Sequence, residues 1–162
     1  FEEAIRNSNL FGMGTTIDVV TINDKGRVFM GHVGDGRVYV QENGYLRQLT
    51  KDHSYVQELM DSGTITKEEA LVHPNRNQIT RALGMDKRID IDLFYYDIYE
   101  QSEYLLICSD GLSNMVDNET ISDILKNQMS VADKVKLLEQ EAMNHGGRDN
   151  ISLILIELEK AV

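Results

Sequence analysis

The 162 residues contain one cysteine, one proline and no tryptophan. A single thiol excludes an intrachain disulfide framework and a zinc site built from several cysteines. Cys108 lies inside an apolar run, where a small buried hydrophobe is expected. A lone thiol suits a reducing compartment, so a cytoplasmic protein is expected. No apolar stretch approaches the roughly 20 residues of a membrane-spanning helix, and no signal peptide is recognisable. Positive charge is scarce as well. There are 16 Lys and Arg against 27 Asp and Glu, for a net charge of −11. Nucleic acids and anionic membranes need basic surface, so neither is an expected partner.

Several catalytic signatures are also missing. The stretch "GMGTT" at Gly12–Thr16 has Ile17 where a dinucleotide fingerprint needs its third glycine, and no Walker A sequence occurs. Ser109 stands outside any G-x-S-x-G elbow. The histidines, His32, His53, His73 and His145, show no H-x-x-x-H spacing. Each reads as a surface or hydrogen-bonded residue rather than a metal ligand.

What is present reads as one α+β domain spanning residues 1–162. The length suits a single domain with a sizeable core, and 41% hydrophobic with 27% charged residues is an ordinary globular balance. The sequence starts at Phe1 rather than Met, and Phe1, Ala4 and Ile5 form an i, i+3, i+4 apolar set. A piece of a longer protein, entered inside an amphipathic helix, is expected. β-formers run from Gly14 to Ile22, Arg27 to Val33, Arg37 to Val40 and Tyr45 to Leu49. Turns at Asn23–Gly26, Gly34–Gly36 and Glu42–Gly44 separate them, which predicts an antiparallel meander. A polar helical insert follows at about Asp52 to Leu83. Its first helix has Val56, Leu59 and Met60 on one face and stops at Ser62-Gly63. Its second is opened by a Thr66/Glu69 capping box and stopped by Pro74. Strands are expected over Leu93–Tyr99, Tyr104–Cys108 and Ile151–Leu158. Helices carry Ile121, Ile124 and Leu125, then Val135, Leu138 and Ala142. Ser130 and Asp133 form a variant capping box, and Gly146-Gly147 form the stop. Hairpins followed by helices predict an antiparallel sheet core with helices outside.

Three aspartates share a context. Asp35 lies in "GDG", read as a hairpin tip. Asp110 follows the apolar strand in "CSDGLSN", beside Gly111, which permits a sharp turn. Asp149 lies in "GGRDN" before the last strand. In adjacent antiparallel strands one strand's end lies beside the other's start, so Asp110 and Asp149 are placed to converge. Carboxylates without His or Cys partners suit hard cations such as Mg²⁺ or Mn²⁺. Each is also an ordinary loop residue: Asp35 and Asp110 in turns, Asp149 as a loop cap. The local sequence leaves these alternatives open.

The ordered set "GMGTT", "GHVGDGRVYV", "LTKDHSYVQELMDSGTITKEEALVHPNRNQITRALG", "YLLICSDGLSNMV" and "GGRDNISLILIEL" resembles the bacterial branch of the metal-dependent Ser/Thr protein phosphatases of the 2C type. The resemblance runs from about Leu10 to Leu158. It implies a four-layer α-β-β-α sandwich, incomplete at the amino terminus. It also implies hydrolysis of phosphoserine and phosphothreonine in proteins by a metal-bridging hydroxide, opposing Ser/Thr kinases. Asp110 and Asp149 then correspond to ligands of a centre with two Mn²⁺ or Mg²⁺ ions. Asp35, with Asp110, corresponds to a weaker additional site. The insert matches a flap beside the active site, with His73 and Arg76 as substrate contacts or as residues that hold the flap together. The expected partners are phosphorylated proteins, and the expected state is a monomer. A non-catalytic binding domain and a hydrolase for small phosphoesters are the competing readings. The family's aspartate-glycine motif, which supplies the bridging ligand, and an earlier arginine precede "GMGTT" and are not in this sequence. Asn114 also stands where some members have an aspartate.

Overall fold

The computed structural model describes residues 2–10 and 12–158, without the Ala4 side chain. Phe1 and the Ala4 side chain, two of the three members of the expected first apolar set, therefore lie outside the described residues. Ile5, in helix α1 (Glu2–Arg6), is exposed. The strands are β1 (Ile17–Ile22), β2 (Arg27–Val33), β3 (Arg37–Glu42), β4 (Tyr45–Gln48), β5 (Asp92–Asp97), β6 (Ser102–Cys108) and β7 (Leu153–Glu157). The helices are α2 (Tyr55–Asp61), α3 (Lys67–Val72), α4 (Asp110–Ser113), α5 (Asn118–Lys126) and α6 (Val131–Asn144). The class is α+β, as expected, with two sheets ordered β1-β2-β5 and β4-β3-β6-β7. Among the described residues no helix is long and apolar enough to cross a membrane.

The chain divides into two compact units. One comprises Phe1–Thr21, Phe29–Asp35 and Lys51–Phe94; the other comprises Ile22–Val28, Gly36–Thr50 and Tyr95–Val162. The second unit holds the larger core. β6 is the centre of its antiparallel sheet, pairing Arg37↔Cys108 with β3 and Cys108↔Leu153 with β7. Leu105 and Leu106 are fully buried, as the apolar run predicts. Tyr39, Leu106 and Cys108 pack against Leu112, Ile121, Leu125, Leu138 and Ala142 of α4, α5 and α6. Full burial of such an aliphatic side chain contributes roughly 1.5–3 kcal/mol. The first unit buries smaller apolar groups, including Val33, Val56 and Ala82, together with the imidazoles of His32 and His53.

One expectation about strand pairing is corrected. Gly34–Gly36 is not a hairpin tip, because β2 and β3 belong to different sheets. Gly34 donates its N–H to His53 Nδ1 at 3.0 Å, and its carbonyl accepts from the His53 N–H at 2.7 Å. Those are the groups a hairpin ladder would have used, and Gly34 adopts φ +119°. The turn at Glu100–Gln101 likewise carries the chain from β5 in one sheet to β6 in the other.

The helix signals hold with one change. Thr66 and Glu69 form both bonds of the capping box. Ser130 accepts from the Asp133 N–H, but Asp133 does not reach back to the Ser130 backbone. Its carboxylate accepts from the Ser130 hydroxyl at 2.7 Å instead. An aspartate side chain is one methylene shorter than the glutamate that normally closes the box.

Candidate metal centre

The pairing of Cys108 with Leu153 puts the exit of β6 beside the entry of β7. Asp110 and Asp149 lie just beyond those points and are brought together, as the strand argument predicts. Ser109 fixes the loop between them. Its N–H donates to Ser152 O at 2.9 Å, its hydroxyl donates to Asn150 O at 3.1 Å, and it accepts from the Ser152 N–H at 3.1 Å. These bonds also explain why β7 begins at Leu153 and not at Ile151. Gly111 acts differently from the sequence expectation. It sits inside α4 without a left-handed φ, so no sharp turn is needed there. What needs glycine is close approach: a Cβ would run into the Asn150 carbonyl.

Asp110 opens α4 and is half-buried, whereas Asp149 is exposed. Burial, and next the negative charge of Asp149, push the Asp110 carboxyl above the usual aspartate range. The Gly111 N–H and the Arg37 guanidinium pull the other way without prevailing. Asn114 donates its amide to Asp110 Oδ2 at 3.2 Å. Two mutually repelling carboxylates at one sheet end fit a hard divalent cation, which would replace repulsion by shared coordination. Among the described residues, no three His, Cys, Asp or Glu side chains cluster as a metal cage. The pair is therefore short of a full coordination set.

Asp35 is half-buried in the first unit, between β2 and β3. His73 caps the C-terminus of α3. Its Nδ1 accepts from the Asn75 N–H at 3.1 Å, and its ring lies 5.8 Å from that of Tyr55. These contacts are internal to the insert. Arg76 is exposed, and its N–H donates to His73 O at 3.1 Å.

The reading of the sequence gave Arg37 no role, weighed Ser109 only as a nucleophile, and read His32 and His53 as surface or hydrogen-bonded residues, which their contacts bear out. Ser109 and Arg37 flank the Asp110 region, and the register that places Arg37 opposite Cys108 becomes visible only once β3 and β6 are paired. His32 is fully buried, with Nδ1 2.7 Å from Asp18 Oδ1 and Nε2 3.0 Å from Lys51 O. Both neighbours are acceptors, an arrangement that favours the doubly protonated ring. Burial opposes that charge, but the Asp18 hydrogen bond and charge outweigh it and raise its pKa. His53 lies 4.6 Å away, ring to ring. Its Nδ1 accepts, so it is neutral, and burial with the nearby His32 and Arg81 lowers its pKa against the pull of Asp92. His53 Nε2 is 3.2 Å from Asp92 Oδ2, which also pairs with Arg81 at 2.9 Å through Oδ1. The signal was the apolar setting of "MGHVGD", where a buried ring needs two polar partners.

Residues 2–145 match the family model described as protein phosphatase 2C. The Ser/Thr phosphatase stp of Listeria welshimeri is 44% identical over 149 residues, 92% of this chain and 58% of that protein. The Ser/Thr phosphatase Stp1 of Staphylococcus aureus superposes with a TM-score of 0.94 at 38% identity, over 99% of this chain and 62% of that one. The catalytic domain of the phosphatase PstP, solved with two manganese ions, gives 0.84 at 33% identity, over 98% and 65%. The chain thus spans about three-fifths of the length of these relatives. The family match, the relatives and the shared fold agree with the carboxylate pair at the β6–β7 end: the chain belongs to the protein phosphatase 2C family.

Proposed function

We propose that the full-length protein is a metal-dependent phosphatase that hydrolyses phosphoserine and phosphothreonine in proteins and opposes Ser/Thr kinases. The convergence of Asp110 and Asp149 on one rigid sheet end carries this reading. Family membership and the manganese in the PstP relative support it. In this proposal Asp110 and Asp149 hold Mn²⁺ or Mg²⁺ in a two-ion centre, and Asp35 is a ligand of a weaker additional ion. A bound divalent cation supplies Lewis acidity and a water of lowered pKa.

The chain's own residues set the geometry. Ser109 and Gly111 fix the separation of the two carboxylates. Asn114 orients Asp110 by donating to Oδ2, and the Gly111 N–H bonds the same carboxylate. Burial of Asp110 strengthens its interaction with any cation placed beside it. The insert acts as a flap that contacts phosphoprotein substrates, with the exposed Arg76 available to a phosphate and His73 bracing the segment through Tyr55 and Asn75. A lone buried cysteine, Cys108, outside any disulfide, supports a cytoplasmic location, and we propose a monomer.

The test is a comparison of kcat/KM on a phosphothreonine peptide and on a small aryl phosphate, in Mn²⁺. A peptide preference of at least about tenfold, equivalent to roughly 1.4 kcal/mol of additional transition-state binding, is expected. Equal or lower efficiency on the peptide would point to a small-phosphoester hydrolase.

A further inference from the structure

We infer that His53 is the positioning residue for Asp35, acting through Gly34. The inference rests on the reading of Asp35 as a ligand of the weaker cation. Gly34 immediately precedes Asp35 and is held at both of its backbone polar groups by one residue. Its N–H donates to His53 Nδ1 at 3.0 Å, and its carbonyl accepts from the His53 N–H at 2.7 Å. Thr16 packs against Gly34 and leaves no room for a Cβ, and φ is +119°. Gly34 is thus fixed by His53 and Thr16, and the direction in which Asp35 leaves it is set.

His53 is itself held on every side. Its carbonyl accepts from the Thr80 N–H at 2.8 Å, and Ser54 bridges to Ile79. Its ring lies 4.6 Å from that of His32, which is anchored by Asp18, and its Nε2 lies 3.2 Å from Asp92, which is anchored by Arg81. The segments that enter and leave the 52–83 insert therefore meet at the His53–Ser54 backbone. His53 Nε2 has no aligned hydrogen bond despite its 3.2 Å approach to Asp92. The Nδ1 acceptor is consequently the ring's firm polar contact, and it is spent on the Gly34 N–H. A residue needed only to fill this space would not require an acceptor at that position.

Two substitutions separate the roles. In His53→Asn the side-chain oxygen can occupy the place of Nδ1 and accept from Gly34. In His53→Gln the polar end reaches toward Asp92 instead and leaves the Gly34 N–H without a buried partner. The experiment uses the full-length protein with Mn²⁺ as probe. It reads the weaker Mn²⁺ dissociation constant, hydrogen exchange at the Gly34 amide, and the melting temperature. His53→Gln is expected to weaken that Mn²⁺ site and speed Gly34 exchange by about tenfold or more, the factor of one buried hydrogen bond. His53→Asn is expected to restore both to within about threefold of wild type. Asp35→Asn is the control. If Asp35→Asn weakens the site while His53→Gln leaves it and Gly34 exchange unchanged, the positioning role is overturned and the Asp35 reading stands. If the two His53 variants lose affinity equally, the acceptor at Nδ1 is not what matters, and the role is also overturned. If Asp35→Asn leaves Mn²⁺ binding unchanged, the Asp35 reading fails and takes the inference with it.

Discussion

At Gly111 the backbone of α4 lies so close to the Asn150 carbonyl that any side chain must push the two apart. Gly111→Ala is therefore expected to separate Asp149 from Asp110. It should weaken Mn²⁺ binding by about tenfold or more and cost roughly 1–3 kcal/mol of stability, the range for overpacking a tight site. Calorimetric Mn²⁺ titration and denaturant unfolding check the two parts. At Asn114 the expectation runs the other way. The amide donates to Asp110 but offers a cation only a neutral oxygen. Asn114→Asp adds a third carboxylate beside Asp110 and Asp149, so Mn²⁺ binding should tighten while the metal-free protein loses stability through like-charge repulsion. The same titration, with melting temperatures in chelator, reads both. The aspartates themselves were legible in the sequence, because strand ends and Asp-Gly or Asp-Asn steps are local features. The role of Gly111 was not, because the carbonyl it makes room for is 39 positions away.

Among the elements, α5 ends on an unusual cap. Lys134 of α6 is 2% exposed. Its Nζ donates to the carbonyls of Leu125 and Asn127, the latter at 2.6 Å, and lies 4.7 Å from the Tyr104 ring centre. Burial lowers its pKa against the pull of Glu157 and Glu103. Lys134→Met keeps the packing but strands two carbonyls, and should cost about 1–3 kcal/mol in denaturant unfolding. The buried histidine pair gives the first unit a pH dependence. The lowered pKa of His53 means that the unfolded chain binds its proton more readily. Its contribution is complete above the ordinary histidine value of 6.5 and is lost as pH falls below it toward the folded pKa. The raised pKa of His32 gives a contribution that is complete below 6.5 and lost as pH rises through its folded value. His53→Asn should accordingly lose less stability between pH 7 and pH 5 than the wild type, measured as melting temperature against pH. Capping boxes, glycine stops and the apolar helix faces were readable because they are local patterns. The partition of β2 from β3 and of β5 from β6 was not, since Gly34–Gly36 looks like a hairpin turn until its backbone bonds are known to go to His53.

For the whole molecule, an antiparallel α+β architecture followed from the order of hairpin signals and helices, and the family followed from five motifs in sequence. The site was legible only in part. Asp110 and Asp149 converge as register arguments predict, yet the described residues supply no cage of three or more ligands. An apolar stripe of Ile17, Val19, Phe29 and Leu93 on the β1-β2-β5 sheet is 40–79% exposed, and the chain spans about three-fifths of its relatives. In the proposed reading Asp110 and Asp149 form a divalent-cation site for protein dephosphorylation. The most direct measurement is hydrolysis of a phosphothreonine peptide by the full-length protein, in Mn²⁺, in chelator, and with Asp110→Asn. Turnover that disappears in chelator and falls by about 10²-fold or more in Asp110→Asn, a loss of roughly 3 kcal/mol of transition-state stabilisation, is predicted. Turnover that survives both would rule out a divalent cation held by Asp110.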